Sequence, residues 1–89
     1  MLITSPKQLA IHLRDERKSR NLSQNKVADP VGIKQDTVSK FELNPETTRI
    51  QTLFRILSSL NLEMHIVPKS ESIDPRSDDE SDYESEEKW

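Results

Sequence analysis

The spacing of apolar residues predicts a first helix close to the start of the chain. Leu9 and Leu13 lie four positions apart and would share one face of a helix that runs to about Arg20. Ser5 is followed by a proline and, three positions on, by a glutamine, which is typical of a helix start. We therefore expect an amphipathic helix over roughly residues 6–20.

The central part of the chain predicts two short helices joined by a turn at the only glycine. Ser23 can cap the first of these helices, and Val27 lies on its inner side. Gly32 supplies the permissive backbone that a tight turn requires. Because Pro30 disfavours helical geometry in the residue before it, we expect the first helix to stop or tighten near Ala28.

The second short helix is predicted to be apolar on one side only. Val38 and Phe41, at i and i+3, face the core. The other positions are polar and available to a partner: Lys34, Gln35, Asp36, Thr37, Ser39 and Lys40. Two helices joined in this way form a helix-turn-helix, which places its second helix in the DNA major groove.

A further helix is predicted from about Arg49 to Leu60. An Asn-Pro pair breaks the chain before it, and Thr48 followed three positions later by glutamine indicates a helix start. The core-facing stripe is predicted to consist of Ile50, Leu53, Phe54, Leu57 and Leu60. Ile56 falls outside that stripe, and we predict that it contacts a second subunit.

Residues 62–67 alternate in polarity, which is typical of a short strand, and Pro68 closes the segment. Asn61 is expected to end the preceding helix in a left-handed turn. A lone strand cannot satisfy its own backbone groups, so its best partner is the same segment of a second copy. This predicts a homodimer in which Leu62, Met64 and Ile66 make contacts. The alternative is an extended segment that lies on its own core.

Charge divides the chain into two unlike parts. Residues 1–69 carry eleven Lys and Arg against seven Asp and Glu, or +4, whereas residues 70–89 carry two against nine, or −7. We predict a DNA-binding and dimerisation domain over 1–69 and an acidic tail over 70–89, disordered when the protein is alone because it has almost no apolar residues. The tail could compete with DNA for the basic domain or serve as a protease handle.

Four cations crowd the end of the first predicted helix: Arg14, Arg17, Lys18 and Arg20. They suit the dipole of their own helix, and they are equally placed to meet a DNA backbone. The two interpretations remain open at the level of sequence.

Several classes of protein are not favoured by the composition. The 89 residues include no cysteine, so disulfides and thiolate metal sites are excluded. No segment approaches the roughly 20 apolar residues that span a bilayer, and we predict a cytoplasmic protein. His12 and His65 lie far apart without other ligands nearby, and a single glycine cannot build a phosphate loop. We expect no enzyme activity, metal or cofactor.

The motifs resemble those of the repressor-like helix-turn-helix family (Xre/Cro/C1) and, within it, the HipB-type antitoxins. The family spacing is matched by Leu22-Ser23-Gln24, Ala28, Gly32, Lys34-Gln35 and Phe41-Glu42. The resemblance covers about Ser5 to Pro68, and Trp89 at the end of the tail also resembles the HipB type. Asp29-Pro30 departs from the family pattern, which usually continues the helix there.

The resemblance implies an all-α domain of four or five helices with a short C-terminal strand paired across a homodimer. It also implies base contacts by Lys34, Gln35, Asp36, Ser39 and Lys40, and phosphate contacts by Gln24 and Thr37. These residue types suit base edges, although Asp36 also suits the positive end of its own helix. Trp89 is expected to enter a pocket on a HipA-like kinase toxin; the alternative is a passive chain end.

The sequence therefore predicts an antitoxin and autorepressor that binds a palindromic operator as a dimer, on the nucleoid, and neutralises a HipA-like serine/threonine kinase. A stand-alone repressor is one alternative, and truncation of the tail would leave its behaviour intact. A protein-interaction module that has lost DNA binding is another, and a salt-dependent gel shift separates it.

Overall fold

The computed structural model describes residues 2–69, which contain four α-helices and two 3-10 helices. The α-helices are α1 (Pro6–Ser19), α2 (Gln24–Ala28), α3 (Gln35–Leu43) and α4 (Ile50–Ser59). The 3-10 helices are Asp29–Val31, between α2 and α3, and Pro45–Thr47, between α3 and α4. The acidic tail and Trp89 lie outside the described residues.

The start of α1 follows the predicted capping pattern, except that the Gln8 side chain bonds to a residue one position earlier than usual. The Ser5 hydroxyl accepts a hydrogen bond from the backbone N–H of Gln8 at 3.1 Å, and Pro6 occupies the first turn, where no N–H is needed. The Gln8 side chain reaches back to the N–H of Thr4 at 2.6 Å, one residue earlier than in the usual capping box. The predicted start of α1 at Pro6, with Ser5 as its cap, is confirmed.

Two asparagines end α1 and α4 in the same way. Asn21 and Asn61 both have a φ of 58°, in the left-handed region that asparagine tolerates better than most residues. The N–H of Leu22 donates to the carbonyl of Arg17 at 3.1 Å, and the N–H of Leu62 donates to the carbonyl of Leu57 at 2.9 Å. Both ends are Schellman motifs; the one at Asn61 was predicted.

The core lies where all four α-helices meet. Its buried residues are Ala10, Leu13, Val27, Ala28, Val38, Phe41, Ile56, Leu57 and Leu60. Leu9, Leu22, Ile33, Leu53 and Leu62 pack against them and are partly buried. Each α-helix contributes apolar residues from a single face, as expected for helices that cover one small core.

The predicted orientation of α4 is wrong at Ile56. This side chain is 2% exposed and belongs to the core, whereas Ile50 is 70% exposed and Phe54 is 52% exposed. Because each residue advances the helix by about 100°, Leu53 and Leu57 can belong either to a stripe with Ile50 and Phe54 or to a stripe with Ile56. Packing selects the flank that carries Ile56, so Ile56 cannot form the predicted subunit contact in this fold.

The start of α4 also differs from the prediction by one residue. Its N-cap is Arg49, which makes no side-chain cap hydrogen bond, and Thr48 lies one position outside the helix. The hydroxyl at Thr48 is therefore not the cap that the Thr-x-x-Gln pattern indicated.

Residues 62–68 contain no helix or strand in the described part of the chain. Leu62 is half-buried against the core, whereas Met64 and Ile66 are exposed. The all-helical fold is thus established for residues 2–69, and the predicted strand is not observed in the isolated chain. Within the same range, no helix is both long and apolar enough to cross a membrane.

Candidate nucleic-acid interface

Helix α2 and the turn after it follow the predicted pattern. The Ser23 hydroxyl accepts from the backbone N–H of Lys26 at 3.0 Å and caps α2. After Ala28 the chain tightens into the 3-10 helix Asp29–Val31, as Pro30 predicted. Gly32 then adopts a φ of 72°, where side chains other than glycine are strained. The predicted tightening and the glycine turn are both confirmed.

Helix α3 is anchored on one side and open on the other. Val38 and Phe41 are buried, as the i, i+3 spacing predicted. Of the predicted DNA contacts, Lys34, Gln35, Asp36 and Lys40 are exposed, and Gln24, Thr37 and Ser39 are half-buried. We call these seven residues the reading face. The structure thus leaves the predicted base contacts accessible at the start and outer side of α3.

A buried ion pair connects α1 to the end of α3. Arg17 donates to the Glu42 carboxylate through Nε at 2.7 Å and through Nη2 at 3.0 Å, and the two side chains are 10% and 7% exposed. Its Nη1 also donates to the carbonyl of Leu22 at 2.8 Å. Removing either partner of a bidentate pair shielded from water would leave an uncompensated buried charge.

The ion pair continues into a chain of hydrogen bonds that ends on the reading face. The Gln24 Nε2 donates to Glu42 Oε1 at 3.0 Å, and Gln35 Nε2 donates to Gln24 Oε1 at 2.8 Å. A carboxylate only accepts, so Gln24 must turn its NH₂ towards Glu42 and its oxygen towards Gln35. The buried Glu42 carboxylate therefore sets the amide orientation of Gln24 and, through Gln24, that of the exposed Gln35.

The charged members of the reading face differ in their surroundings. Lys40 Nζ lies 3.5 Å from Asp36 Oδ2 in an exposed i, i+4 pair, which is weak and exchanges readily with solvent. Lys34, at the N-cap of α3, takes part in none of the ion pairs formed within residues 2–69. An anion that approaches the face would meet Lys34 first as an available cation.

The cations at the end of α1 do not act as one group. Arg17 is buried in the core ion pair and is closed to an external phosphate. Arg20 pairs with Glu16 at 2.8 Å and also donates to the carbonyl of Leu60. Arg14 and Lys18 are exposed. Of the four cations, only Arg14 and Lys18 retain both interpretations, which are stabilisation of their own helix and contact with a DNA backbone.

Helix α4 supports the back of the turn through two side-chain bonds. The Ser59 hydroxyl donates to the carbonyl of Val27 at 2.7 Å, and Arg55 Nη1 donates to the carbonyl of Val31 at 2.9 Å. These bonds satisfy carbonyls at the end of α2 and in the 3-10 helix, where no N–H from the next helical turn is available to donate to them. The direction in which α3 leaves the turn is thereby tied to the core.

The structural role of Glu42 was missed at the sequence level, where it counted only as part of the Phe41-Glu42 motif. One signal was present in the sequence. A carboxylate in the last turn of a helix opposes the helix dipole, so its presence there indicates a cationic partner. The partner, Arg17, could not be found from spacing because it lies 25 residues away.

Comparison with known proteins identifies the family. The Helix-turn-helix family matches residues 13–67. The chain is 38% identical over 82 residues to antitoxin HipB of Escherichia coli O6:H1 strain CFT073, covering 92% of this chain and 86% of that protein. A solved complex of a HipB variant with an O2 20mer is 41% identical, has a TM-score of 0.75, and is matched over 76% of this chain and 94% of that one.

A solved HipA-HipB-O2-O3 complex is similar to the same degree, with 41% identity, a TM-score of 0.75, and coverage of 76% of this chain and 96% of that one. The matched region includes α2, the glycine turn and α3, which hold the reading face. The chain belongs to the helix-turn-helix family and, within it, to the HipB antitoxins.

Proposed function

We propose that this chain is an antitoxin and transcriptional autorepressor that binds operator DNA as a dimer and neutralises a HipA-like kinase. The observation that carries the proposal is the accessible reading face, connected to the buried ion pair through Gln24, in a chain similar to HipB over 92% of its length. It is a regulator rather than an enzyme. We place it in the cytoplasm, on the nucleoid.

Base reading is centred on Gln35. One hydrogen of its Nε2 is donated to Gln24, and the exposed side chain keeps its second amide hydrogen and Oε1 for a partner. This donor and acceptor pair matches N7 and N6 of adenine in the major groove. The bond to Gln24 reduces the rotamer freedom that Gln35 loses on binding, so part of the ordering cost is met before DNA arrives.

The other members of the reading face have roles that follow from their charge and position. Lys34 and Lys40 donate to guanine or to phosphate, and Ser39 contacts a base edge. Asp36 accepts from cytosine once Lys40 leaves it for DNA. Gln24 and Thr37, both half-buried, hold phosphates at the edge of the groove.

The dimer interface is proposed to use the exposed apolar side of α4 in place of Ile56. Ile50 and Phe54 lie four residues apart on α4 and are open to solvent in the single chain. Met64 and Ile66, exposed in the segment that follows, lie at alternate positions, so pairing with the same segment of a second copy would order both as a strand. Leu62 joins this segment to the core of its own subunit.

A second copy is the partner that fits this surface. A domain of this size buries little apolar area by itself, and covering the α4 surface adds to it. Two-fold symmetry also sets two reading faces about 34 Å apart, or a multiple of that, and predicts a palindromic operator. The kinase is proposed to be held by Trp89, a large aromatic side chain of the type that anchors protein interfaces.

DNA binding is tested by selecting duplexes from a random pool with the full chain, then measuring affinity by competition gel shift over a range of salt. Affinity should fall steeply as salt rises. Gln35→Ala should cost on the order of 1 to 3 kcal/mol at one base pair and relax the preference there. Gln51→Ala, at an exposed position on α4, is the matched control and should keep the preference. Unchanged preference in Gln35→Ala would remove Gln35 from the reading face.

Kinase binding is tested by pull-down from the native cell with the tagged full chain and its Trp89→Ala variant. The native chain should retain a HipA-type kinase, identified by mass spectrometry, and Trp89→Ala should release it because the anchor is lost. Equal retention by both would contradict the role of Trp89. Retention of DNA without any kinase would leave a stand-alone repressor.

A further inference from the structure

The described domain carries exposed cations, and the sequence of the tail carries an excess of carboxylates. Lys26 on α2 and Lys34 at the start of α3 are exposed, and neither joins an ion pair within residues 2–69. The domain carries +4 over residues 1–69, and residues 70–89 carry −7. Opposite charges of this size on one chain attract each other unless salt or a competing polyanion intervenes.

We propose that the acidic tail, residues 70–89, docks on the reading face of its own dimer and competes there with DNA. The tail offers nine carboxylates where DNA would offer phosphates, and both are recognised by the same lysines. This inference rests on the proposed function, since it takes the reading face to be the DNA surface. It assigns the tail a second role, separate from the partner contact of Trp89.

The tail is long enough to reach the reading face from its point of attachment. Twenty residues follow Lys69, the last one described. Fully extended, they span roughly 65 to 70 Å, and as a flexible chain they span about 25 Å on average. The domain has a radius of gyration of 15.9 Å and a longest dimension of 44 Å, so its whole surface lies within the extended length of the tail.

The strength of the competition follows from charge density and tethering. Between residues 71 and 87 the tail has about one carboxylate every two residues, or one per roughly 7 Å when extended, against one phosphate per 3.4 Å of each DNA strand. The tail is therefore the weaker polyanion, but tethering gives it an effective concentration in the millimolar range. We expect it to weaken DNA binding by about 2- to 10-fold at low salt.

Binding of the kinase and of DNA are coupled as a consequence. A partner that holds Trp89 also holds the tail away from the reading face. DNA affinity then rises by the factor that the tail had removed, and by linkage DNA raises the affinity for the partner equally. No contact between the partner and DNA is needed for this coupling.

The test compares full-length proteins in which only the charge of the tail differs. One variant replaces each tail Asp by Asn and each tail Glu by Gln, at Glu71, Asp74, Asp78, Asp79, Glu80, Asp82, Glu84, Glu86 and Glu87. The matched control replaces four tail serines by alanine, at Ser72, Ser77, Ser81 and Ser85, and keeps every charge. Fluorescence anisotropy with a labelled duplex of mixed sequence measures the dissociation constant at low and high salt.

The neutral tail should bind the duplex about 2- to 10-fold more tightly at low salt, with the difference vanishing at high salt as ion pairing is screened. The serine variant should match the native chain. Without DNA, the backbone amide NMR signals of residues 34–40 should differ between the neutral and native tails. Lys34→Gln combined with Lys40→Gln should reduce both the duplex affinity and the effect of the tail.

Three outcomes would overturn the inference. Equal, salt-dependent binding by native and neutral tails removes the competition and leaves the proposed function standing. Tighter binding by the neutral tail with unchanged signals for residues 34–40 indicates repulsion at a distance and removes docking. Absence of salt-dependent binding by every variant overturns the proposed function and this inference together.

Discussion

Removing the charge of Glu42 tests whether the ion pair behind α3 determines the stability of the domain. Glu42→Gln keeps the size of the side chain but leaves the Arg17 guanidinium without a counter-charge. The Arg17 side chain is 10% exposed, and its guanidinium keeps one other hydrogen bond, to the Leu22 carbonyl at 2.8 Å. Water cannot replace the lost carboxylate at a site so well shielded.

The expected loss is about 3 to 5 kcal/mol of unfolding free energy, because breaking one side of a buried pair leaves an uncompensated charge. A small domain has about 5 to 15 kcal/mol in total, so the variant would lose a large part of its stability. Glu16→Gln is the matched control. It breaks an i, i+4 pair whose side chains are 37% and 29% exposed, and should cost less than about 1 kcal/mol.

Urea unfolding followed by far-UV circular dichroism measures both losses. All proteins are compared at one protomer concentration, because dimerisation makes apparent stability depend on concentration. In a separate double-mutant cycle, Arg17→Met combined with Glu42→Leu should lose less than the sum of the losses of Arg17→Met alone and Glu42→Leu alone, with a coupling on the order of 2 to 3 kcal/mol. A loss below about 1 kcal/mol for Glu42→Gln, or additive losses in the cycle, would refute the reasoning.

Substitutions at four further positions have outcomes set by the structure. Gly32→Ala should cost about 1 to 2 kcal/mol from the left-handed backbone alone, since an added Cβ meets nothing within 4 Å, and Gly32→Asn should cost less; equal losses in thermal unfolding would contradict this. Asn61→Gly should raise the unfolding free energy by up to about 1 kcal/mol by relieving a φ of 58°, as checked by urea unfolding; a lower stability would show that the Asn61 side chain contributes there. Phe54→Glu should yield a folded monomer in sedimentation equilibrium, and a dimeric Phe54→Glu would remove α4 from the interface. Ile56→Ala, in the core, should instead lower the unfolding free energy by about 2 to 5 kcal/mol.

Much of this fold could be predicted from the sequence because its signals are local. Ser5 and Ser23 cap helices within three residues of themselves, Gly32 needs a positive φ at its own position, and Pro30 acts on the residue beside it. Buried positions on α3 also followed from spacing, since Val38 and Phe41 were the only large apolar residues that could face inward together.

The errors arose where the deciding contact lies far away in the sequence. Leu53 and Leu57 fit two overlapping stripes on α4, and only packing against the other helices selected the one with Ile56. Arg17 fitted the dipole of α1 as well as any surface cation, and its actual partner is on α3. The exposed edge of α3 was predictable, whereas the hydrogen bonds that orient Gln35 from within were not.

The short 3-10 helix at Asp29–Val31 has a geometric consequence for where α3 points. Three residues of 3-10 helix advance roughly 1.5 Å further and rotate about 60° more than the same residues in an α-helix. Replacing Pro30 by a good helix former would let α2 run on and swing α3 about the helix axis. In a two-fold symmetric dimer both copies of α3 would move, so the change in their separation is doubled. Pro30, which is not among the predicted base contacts, would thus help to fix the spacing between operator half-sites.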